Sequence, residues 1–421
     1  MKYLNKNNLL IVLVVSLYLF LRFKNILGQI NFDGEVALNY LEIKNHIVNN
    51  TIPLLGPPTG HSFISLGPIF YWFMIIFFKL FGFDPINIFV FYIFLGLATS
   101  FMGYYLMKKY FDVKSANYLF ILLCLTPFWL VLFRYSRFYL FVVPLTFLYL
   151  NYLFKYLKGD NLSLYLSWFV LGIALNFHLT VIALIFSHVL IIYLFKSKKI
   201  RIKEILYSAL FFIIPNIPFL ISSVNNNFEP ILKLGLWIPY RFYKFGTVNF
   251  NFIAILVLCL ALSGLYLLIK NKIKSNLKIL MVLFLANLVA LLIHGDSPVH
   301  YWVAIAPIGF MIISYLFSKV IKSSFLFLWL VILFSLSFYN SKDWLNKSSM
   351  YLKQNEISKS IVSQASGNKF NLIRVGEFDY YHGYYAQNYA YLMWLYGNEP
   401  SYEDQVLKYT IYEEGDNIYF K

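Results

Sequence analysis

Apolar runs long enough to cross a lipid bilayer recur along most of this 421-residue chain, separated by short polar segments. A spanning helix needs about 17–25 mostly apolar residues, and stretches such as 86–107, 138–157, 248–269 and 277–294 supply them. Composition agrees, with 60% of residues hydrophobic, 21% aromatic and 13% charged, against roughly 25% charged in an average soluble domain. A water-soluble fold of this length could not cover so much apolar surface. The chain is therefore expected to be an all-α polytopic membrane protein.

A net charge of +16 in a soluble protein would point to nucleic acid. Here the basic residues sit in short loops between apolar runs, so no nucleic-acid partner is expected. Cys124 and Cys259 both lie inside apolar runs. Neither a disulfide framework nor a cysteine metal site can be built from them.

About eleven spanning helices are expected. The first runs over Leu9–Leu21 and lacks a small-residue cleavage site, which favours an uncleaved anchor. The others fall at 86–107, 115–133, 138–157, 163–176, 179–195, 205–221, 248–269, 277–294, 302–318 and 323–339. The run 163–195 is too long for one helix and is interrupted by Asn176, His178 and Thr180, so it is split into a hairpin. Ile64–Gly82 is assigned to a helix lying in the interface, within a first outer loop spanning 22–85. With a cytoplasmic N-terminus, eighteen of the 35 Lys and Arg then fall on the inner side and nine in the outer loops. Counting Ile64–Gly82 as a span would put the Lys196–Lys203 cluster outside, against the positive-inside rule. Residues 341–421 are polar and tyrosine-rich. Strand-like alternation at Phe370–Phe378 and Val406–Tyr412, with a helical Tyr384–Tyr396, predicts a small external α/β module.

Titratable groups gather in the expected outer loops. The first reads Asn31-Phe32-Asp33-Gly34-Glu35, two carboxylates flanking a glycine close to the end of the first span. A carboxylate held near an apolar boundary loses solvation, and its strength as a base near neutral pH improves. The same Asp33 also suits the N-cap of a helix beginning near Glu35. A turn-rich Pro53–His61 follows, in which His61 fits either a substrate contact or a solvated loop. Arg134 and Arg137 lie in Arg134-Tyr135-Ser136-Arg137-Phe138-Tyr139, after the third span. Each could snorkel, but two guanidinium forks at a membrane face also suit phosphate oxygens. His178, in Asn176–Thr180, and His300 with Tyr301, in His294–Trp302, either line the same cavity or close ordinary turns. The two histidines and Asp296 of that last loop match no closed metal-site spacing. No glycine-rich nucleotide loop or serine-nucleophile elbow occurs.

Four features together resemble the GT-C superfamily of membrane glycosyltransferases, specifically the group similar to protein O-mannosyltransferases and lipid A aminoarabinose transferase. They are Asp33-Gly34-Glu35, the Gly-Pro-x-x-Tyr-Trp segment Gly67–Trp72 leading to Leu80-Phe81-Gly82, the Arg-x-x-Arg-Phe-Tyr stretch Arg134–Tyr139, and His300-Tyr301-Trp302 ahead of Pro307. The resemblance covers roughly residues 8–320. It implies a transmembrane catalytic domain over 1–340 in the cell membrane. The implied reaction is inverting transfer of a sugar from a polyprenyl- or dolichyl-phosphate donor to a glycan, lipid or protein acceptor at the outer face. Asp33 would be the general base and Glu35 would orient the acceptor or a cation. Arg134 and Arg137 would stabilise the departing lipid phosphate, with His300 and Tyr301 in support. Gly34 separates acids that are often adjacent in these transferases, and no acid follows the third span where several relatives carry one. No obligatory metal or other cofactor is therefore expected, a divalent cation being the one candidate. The competing reading is a lipid-linked sugar flippase or transporter. Transporters place charges within their spans, whereas these spans are nearly free of acids.

Overall fold

Helices follow the apolar runs in the computed structural model, which describes residues 6–59, 64–196, 201–243, 275–294, 299–320, 325–346, 350–376, 386–414 and 417–421. In chain order they are α1 (Lys6–Phe23), α2 (Ile26–Gln29), α3 (Gly34–Val48), α4 (Ile69–Phe81), α5 (Pro85–Tyr110), α6 (Val113–Leu125) and α7 (Pro127–Leu132). A 3₁₀ turn over Phe138–Phe141 leads into α8 (Val142–Leu157), followed by α9 (Leu162–Leu175), α10 (Val181–Phe195), α11 (Ile202–Ile213), α12 (Ile217–Asn225) and α13 (Glu229–Tyr243). The later helices are α14 (Ser275–His294), α15 (Ala306–Val320), α16 (Leu326–Asn346), α17 (Met350–Ala365) and α18 (Gln387–Leu395). Starts are set by local chemistry. Asp84 accepts from the Ile86 amide at 2.8 Å with Pro85 at the first helical position, and Asp112 accepts from the Ser115 amide at 2.7 Å.

The protein is a multi-pass membrane protein, and among the described residues the eleven expected spans cannot all be counted by length. Among the described residues four helical stretches are long and apolar enough to cross a bilayer: Pro85–Tyr110, Phe138–Leu157, Ile202–Asn225 and Ser275–Leu292. Six further apolar helices are shorter. Proline explains part of the difference, because it lacks an amide proton and clashes with the preceding turn. The expected span 115–133 is broken at Thr126, where α6 ends and Pro127 opens α7. Pro215 turns the stretch between α11 and α12 into a 3₁₀ step. The hairpin expected at 176–180 is present between α9 and α10. Helix α4 has 13 residues, about 20 Å at 1.5 Å per residue, too short to cross a hydrocarbon core of about 30 Å upright. The expected span 248–269 lies outside the described residues.

The C-terminal region carries the expected small sheet. Strands β1 (Phe370–Val375) and β2 (Leu407–Glu414) pair in parallel, Phe370 opposite Leu407, and β3 (Asn417–Phe420) pairs antiparallel with β2. A parallel pair needs a crossover, and α18 lies between the two strands in the chain. Ile361, Phe370, Tyr389, Met393 and Ile411 make the core of this unit. Sequence reading overlooked α17 and β3. It also ended the preceding helix near 340, whereas α16 continues to Asn346.

This unit is packed onto the segment that follows α1. Tyr391 of α18 lies 5.4 Å from Phe32 and 5.9 Å from Tyr40, centroid to centroid, and its hydroxyl donates to the Phe83 carbonyl at 2.5 Å. Tyr351 meets Phe32 edge-on at 6.2 Å. Lys44 on α3 pairs with Glu399 at 2.8 Å and sits over the Trp394 ring. Phe32, the residue before Asp33, is thereby held from both ends of the chain.

Candidate active site

The acids are placed by the way α1 ends. Asn25 adopts a left-handed conformation (φ 56°) and the short α2 follows. The buried Gln29 side chain donates to the carbonyls of Leu21 (2.7 Å) and Lys24 (2.9 Å), satisfying groups that the end of α1 leaves open. Asp33 then caps α3, its Oδ1 accepting from the Val36 amide at 3.0 Å. Asp33 thus fills the N-cap read from sequence, and its other oxygen faces Arg137.

Arg137 joins the two carboxylates. Its Nη2 donates to Asp33 Oδ2 and its Nη1 to Glu35 Oε2, each at 2.5 Å. The turn that delivers it depends on Ser136, whose φ of 49° is unusual for a residue other than glycine. The Ser136 carbonyl accepts from the Tyr40 hydroxyl at 3.4 Å. Three residues earlier, Arg134 donates from Nε to the Gln29 carbonyl at 2.7 Å. The two arginines thus clamp the segment 29–35 at both ends. Arg134 is thus held partly by the backbone, whereas Arg137 holds both acids.

Electrostatics separates the acids. Glu35 is half-exposed, yet the surrounding protein displaces enough water to lift its carboxyl above the usual range. The neighbouring Arg137 pulls it down and the Asp33 charge adds to the lift. Burial alone would lower Arg137, but the two carboxylates outweigh it and the guanidinium is held more firmly charged. Arg134 is lowered to about 10, by burial first and by the charge of Arg22.

A small cavity open to solvent lies beside this cluster, lined by Glu35, Val36, Asn39, Tyr40, Phe70, Ser136, Arg137 and Phe138. Asn39 is fixed on both sides, donating to the Glu35 carbonyl at 2.9 Å and accepting from Tyr71 at 2.9 Å. The Gly-Pro segments form a wall. Gly56 donates to the Leu66 carbonyl at 2.8 Å, and a Cβ on Gly67 would lie 1.7 Å from Asn176 Oδ1. Only glycine permits that approach.

The remaining expected residues gather nearby, around Tyr139. His300 stacks on Tyr139 at 5.3 Å and 25°, while His178 meets Tyr139, His300 and Tyr301 at 6.1, 5.6 and 5.4 Å. His178 Nδ1 is 2.8 Å from Thr180 Oγ1. One residue, Phe138, separates Tyr139 from Arg137, so the aromatic group and the charged cluster share one short stretch of chain. Sequence reading quoted Tyr139 within a motif but gave it no role. It also gave no role to Asn39 and Tyr40, the first of which lies four residues after Glu35 on the same helix face. His61 and Asp296 lie outside the described residues. Among the described residues, no three His, Cys, Asp or Glu side chains come together in a way that could hold a metal ion.

Comparison with known proteins bears out the resemblance read from sequence. The family model for dolichyl-phosphate-mannose-protein mannosyltransferase matches residues 65–221. No curated protein matches in sequence. The fold is that of ArnT from Cupriavidus metallidurans bound to undecaprenyl phosphate, at TM-score 0.62 and 13% identity, covering 95% of this chain and 92% of that one. The same enzyme in the apo state gives TM-score 0.61 at 13% identity over 94% and 86% of the two chains. The Archaeoglobus fulgidus oligosaccharyltransferase in complex with Zn and sulfate gives 0.52 at 12% identity, covering 91% of this chain and 61% of that one.

Proposed function

We propose that the protein is a glycosyltransferase that moves a sugar from a polyprenyl- or dolichyl-phosphate donor to an acceptor hydroxyl at the outer face of the membrane, with inversion. The observation that carries this reading is Arg137 bridging Asp33 and Glu35 at the edge of a cavity. The related fold that binds undecaprenyl phosphate supports it.

In this reading the acceptor oxygen attacks the anomeric carbon and gives up its proton to a carboxylate. The bond from that carbon to the phosphate oxygen breaks, and the released lipid phosphate carries the charge away. Sequence reading assigned the base to Asp33. We assign it to Glu35, which lines the cavity and whose carboxyl is raised, because a base works best with a pKa near the working pH. Asp33, capped at one oxygen and ion-paired at the other, holds the loop and Arg137. Phosphate oxygens compete with the carboxylates for the Arg137 fork, so arrival of the donor frees the base as it fills the anion site. The Tyr139–His300 stack with His178 and Tyr301 offers an aromatic face to the sugar. The chain's own side chains supply every group this scheme uses, so no resident cofactor is invoked.

The test is covalent transfer from radiolabelled prenyl-phosphate sugars by the purified protein. Appearance of label on a water-soluble or lipid acceptor supports the reading. Passage of intact labelled lipid across sealed vesicles without cleavage would favour a flippase instead.

A further inference from the structure

Helices α5 and α8 leave the site side by side. Phe91 and Tyr92 of α5 each meet Phe141, just before α8, at 6.1 Å. At the other end the Tyr110 hydroxyl of α5 donates to the Asn151 carbonyl of α8 at 3.1 Å. Helix α5 has 26 residues, about 39 Å at 1.5 Å per residue, enough to cross a hydrocarbon core of about 30 Å. The last turns of both helices therefore lie at the membrane face opposite the acids.

Three ammonium groups gather there. Lys109 Nζ stands over the Tyr110 ring at 5.1 Å and Lys158 Nζ over the same ring at 4.8 Å. The charges of Lys155 and Lys158 both bear on Lys109. Lys109 donates to Asn151 Oδ1 at 3.1 Å, a neutral acceptor. Among the described residues no carboxylate forms an ion pair with any of the three. Asp160 acts on Lys155 only at longer range, and its Oδ2 accepts from the Ser163 hydroxyl at 2.7 Å. The carbonyl ends of the two helices supply about half a negative charge each. That leaves most of three full positive charges unanswered.

The adjoining surface is apolar. Tyr105 lies one turn back along α5 on the face that carries Lys109, and is 63% exposed. Lys109 and Lys158 are exposed as well. Clustered cations at headgroup height, above a ring that faces the acyl chains, match a lipid whose head is an anion.

We propose that the ends of α5 and α8 form a binding site for an anionic phospholipid. Its phosphate is held by Lys109 and Lys158 with Lys155 beside them, and its acyl chains run along α5 past Tyr105. The site stands apart from the transfer reaction, and its test does not depend on that reading.

Binding of phosphatidylglycerol and of phosphatidylcholine to the purified full-length protein in detergent, read by native mass spectrometry, tests this. Phosphatidylglycerol should be retained, and phosphatidylcholine, whose phosphate carries no net charge, should not. The triple variant Lys109→Gln, Lys155→Gln, Lys158→Gln should retain phosphatidylglycerol at least tenfold less well. The same three positions changed to Arg should keep it. A charge-matched control, Lys342→Gln, Lys359→Gln, Lys369→Gln, should bind as the unaltered protein does. If the first triple variant does not fold, Lys158→Gln alone should weaken binding about fivefold. Unchanged retention by the variant that folds, equal retention of the two lipids, or an equal loss in the control would overturn the inference. Displacement of phosphatidylglycerol by millimolar inorganic phosphate would overturn the phospholipid assignment.

Discussion

Arg137 reaches Asp33 across 104 residues of sequence, Nη2 to Oδ2 at 2.5 Å, and with its other prong takes Glu35 at the same distance. The pair sits at the junction of the loop after α1 and the turn before α8, so it couples the position of that loop to the charge state of the site. A cation shared by two carboxylates is also one that an incoming phosphate can capture from them.

Arg137→Gln should lower sugar transfer roughly 10²–10³-fold, the cost of losing one preorganised charge-stabilising group. Arg137→Lys should recover little, because an ammonium cannot span both acids with a fork. Steady-state transfer rates on matched, folded preparations decide this.

Asp33 and Glu35 should separate by substitution. Asp33→Asn keeps a good N-cap, so its effect on thermal unfolding should be small, whereas Asp33→Ala should lose about 1 kcal/mol of stability with the cap. Glu35→Gln should cost roughly 10²–10⁴ in transfer rate at unchanged stability, as loss of a general base does. Equal transfer by Glu35→Gln and the unaltered protein would remove Glu35 from the base role.

The pH dependence follows from the raised Glu35 carboxyl. The base must be ionised, so transfer should fall as pH drops through a pKa above the usual glutamate range. Arg137 lowers that pKa, so its removal should move the acid limb to higher pH. A limb that stays put in Arg137→Gln would contradict the coupling. Stability runs the opposite way. A carboxyl raised in the folded state favours folding while protonated, and that contribution fades as pH rises through the raised value.

Tyr391 connects the C-terminal unit to Phe32 and Tyr40, beside the acids. Tyr391→Ala should destabilise the protein by about 3–5 kcal/mol, as loss of a large buried aromatic does, and should reduce transfer at temperatures where the protein remains folded. Melting curves in detergent alongside rates distinguish the two effects.

Much of this was legible in the chain. Apolar runs located the helices, alternation located β1 and β2, and the acid and arginine motifs named the side chains that meet. The breaks at Thr126–Pro127 and Pro215 were missed, the spans being set unbroken over 115–133 and 205–221, although proline's missing amide proton marks both. What the sequence did not show is which partners each group finds. Arg134 and Arg137 look alike in one dimension, yet one holds the Gln29 carbonyl and the other holds both acids. That difference arises from the left-handed turn at Ser136.

The most direct measurement is single-turnover release of sugar from a radiolabelled polyprenyl-phosphate donor, comparing the unaltered protein with the Asp33→Asn, Glu35→Gln double variant in the same membranes. The account predicts that label leaves the lipid with the unaltered protein and stays on it with the variant, while both still bind the carrier. Equal release by the two proteins would contradict it.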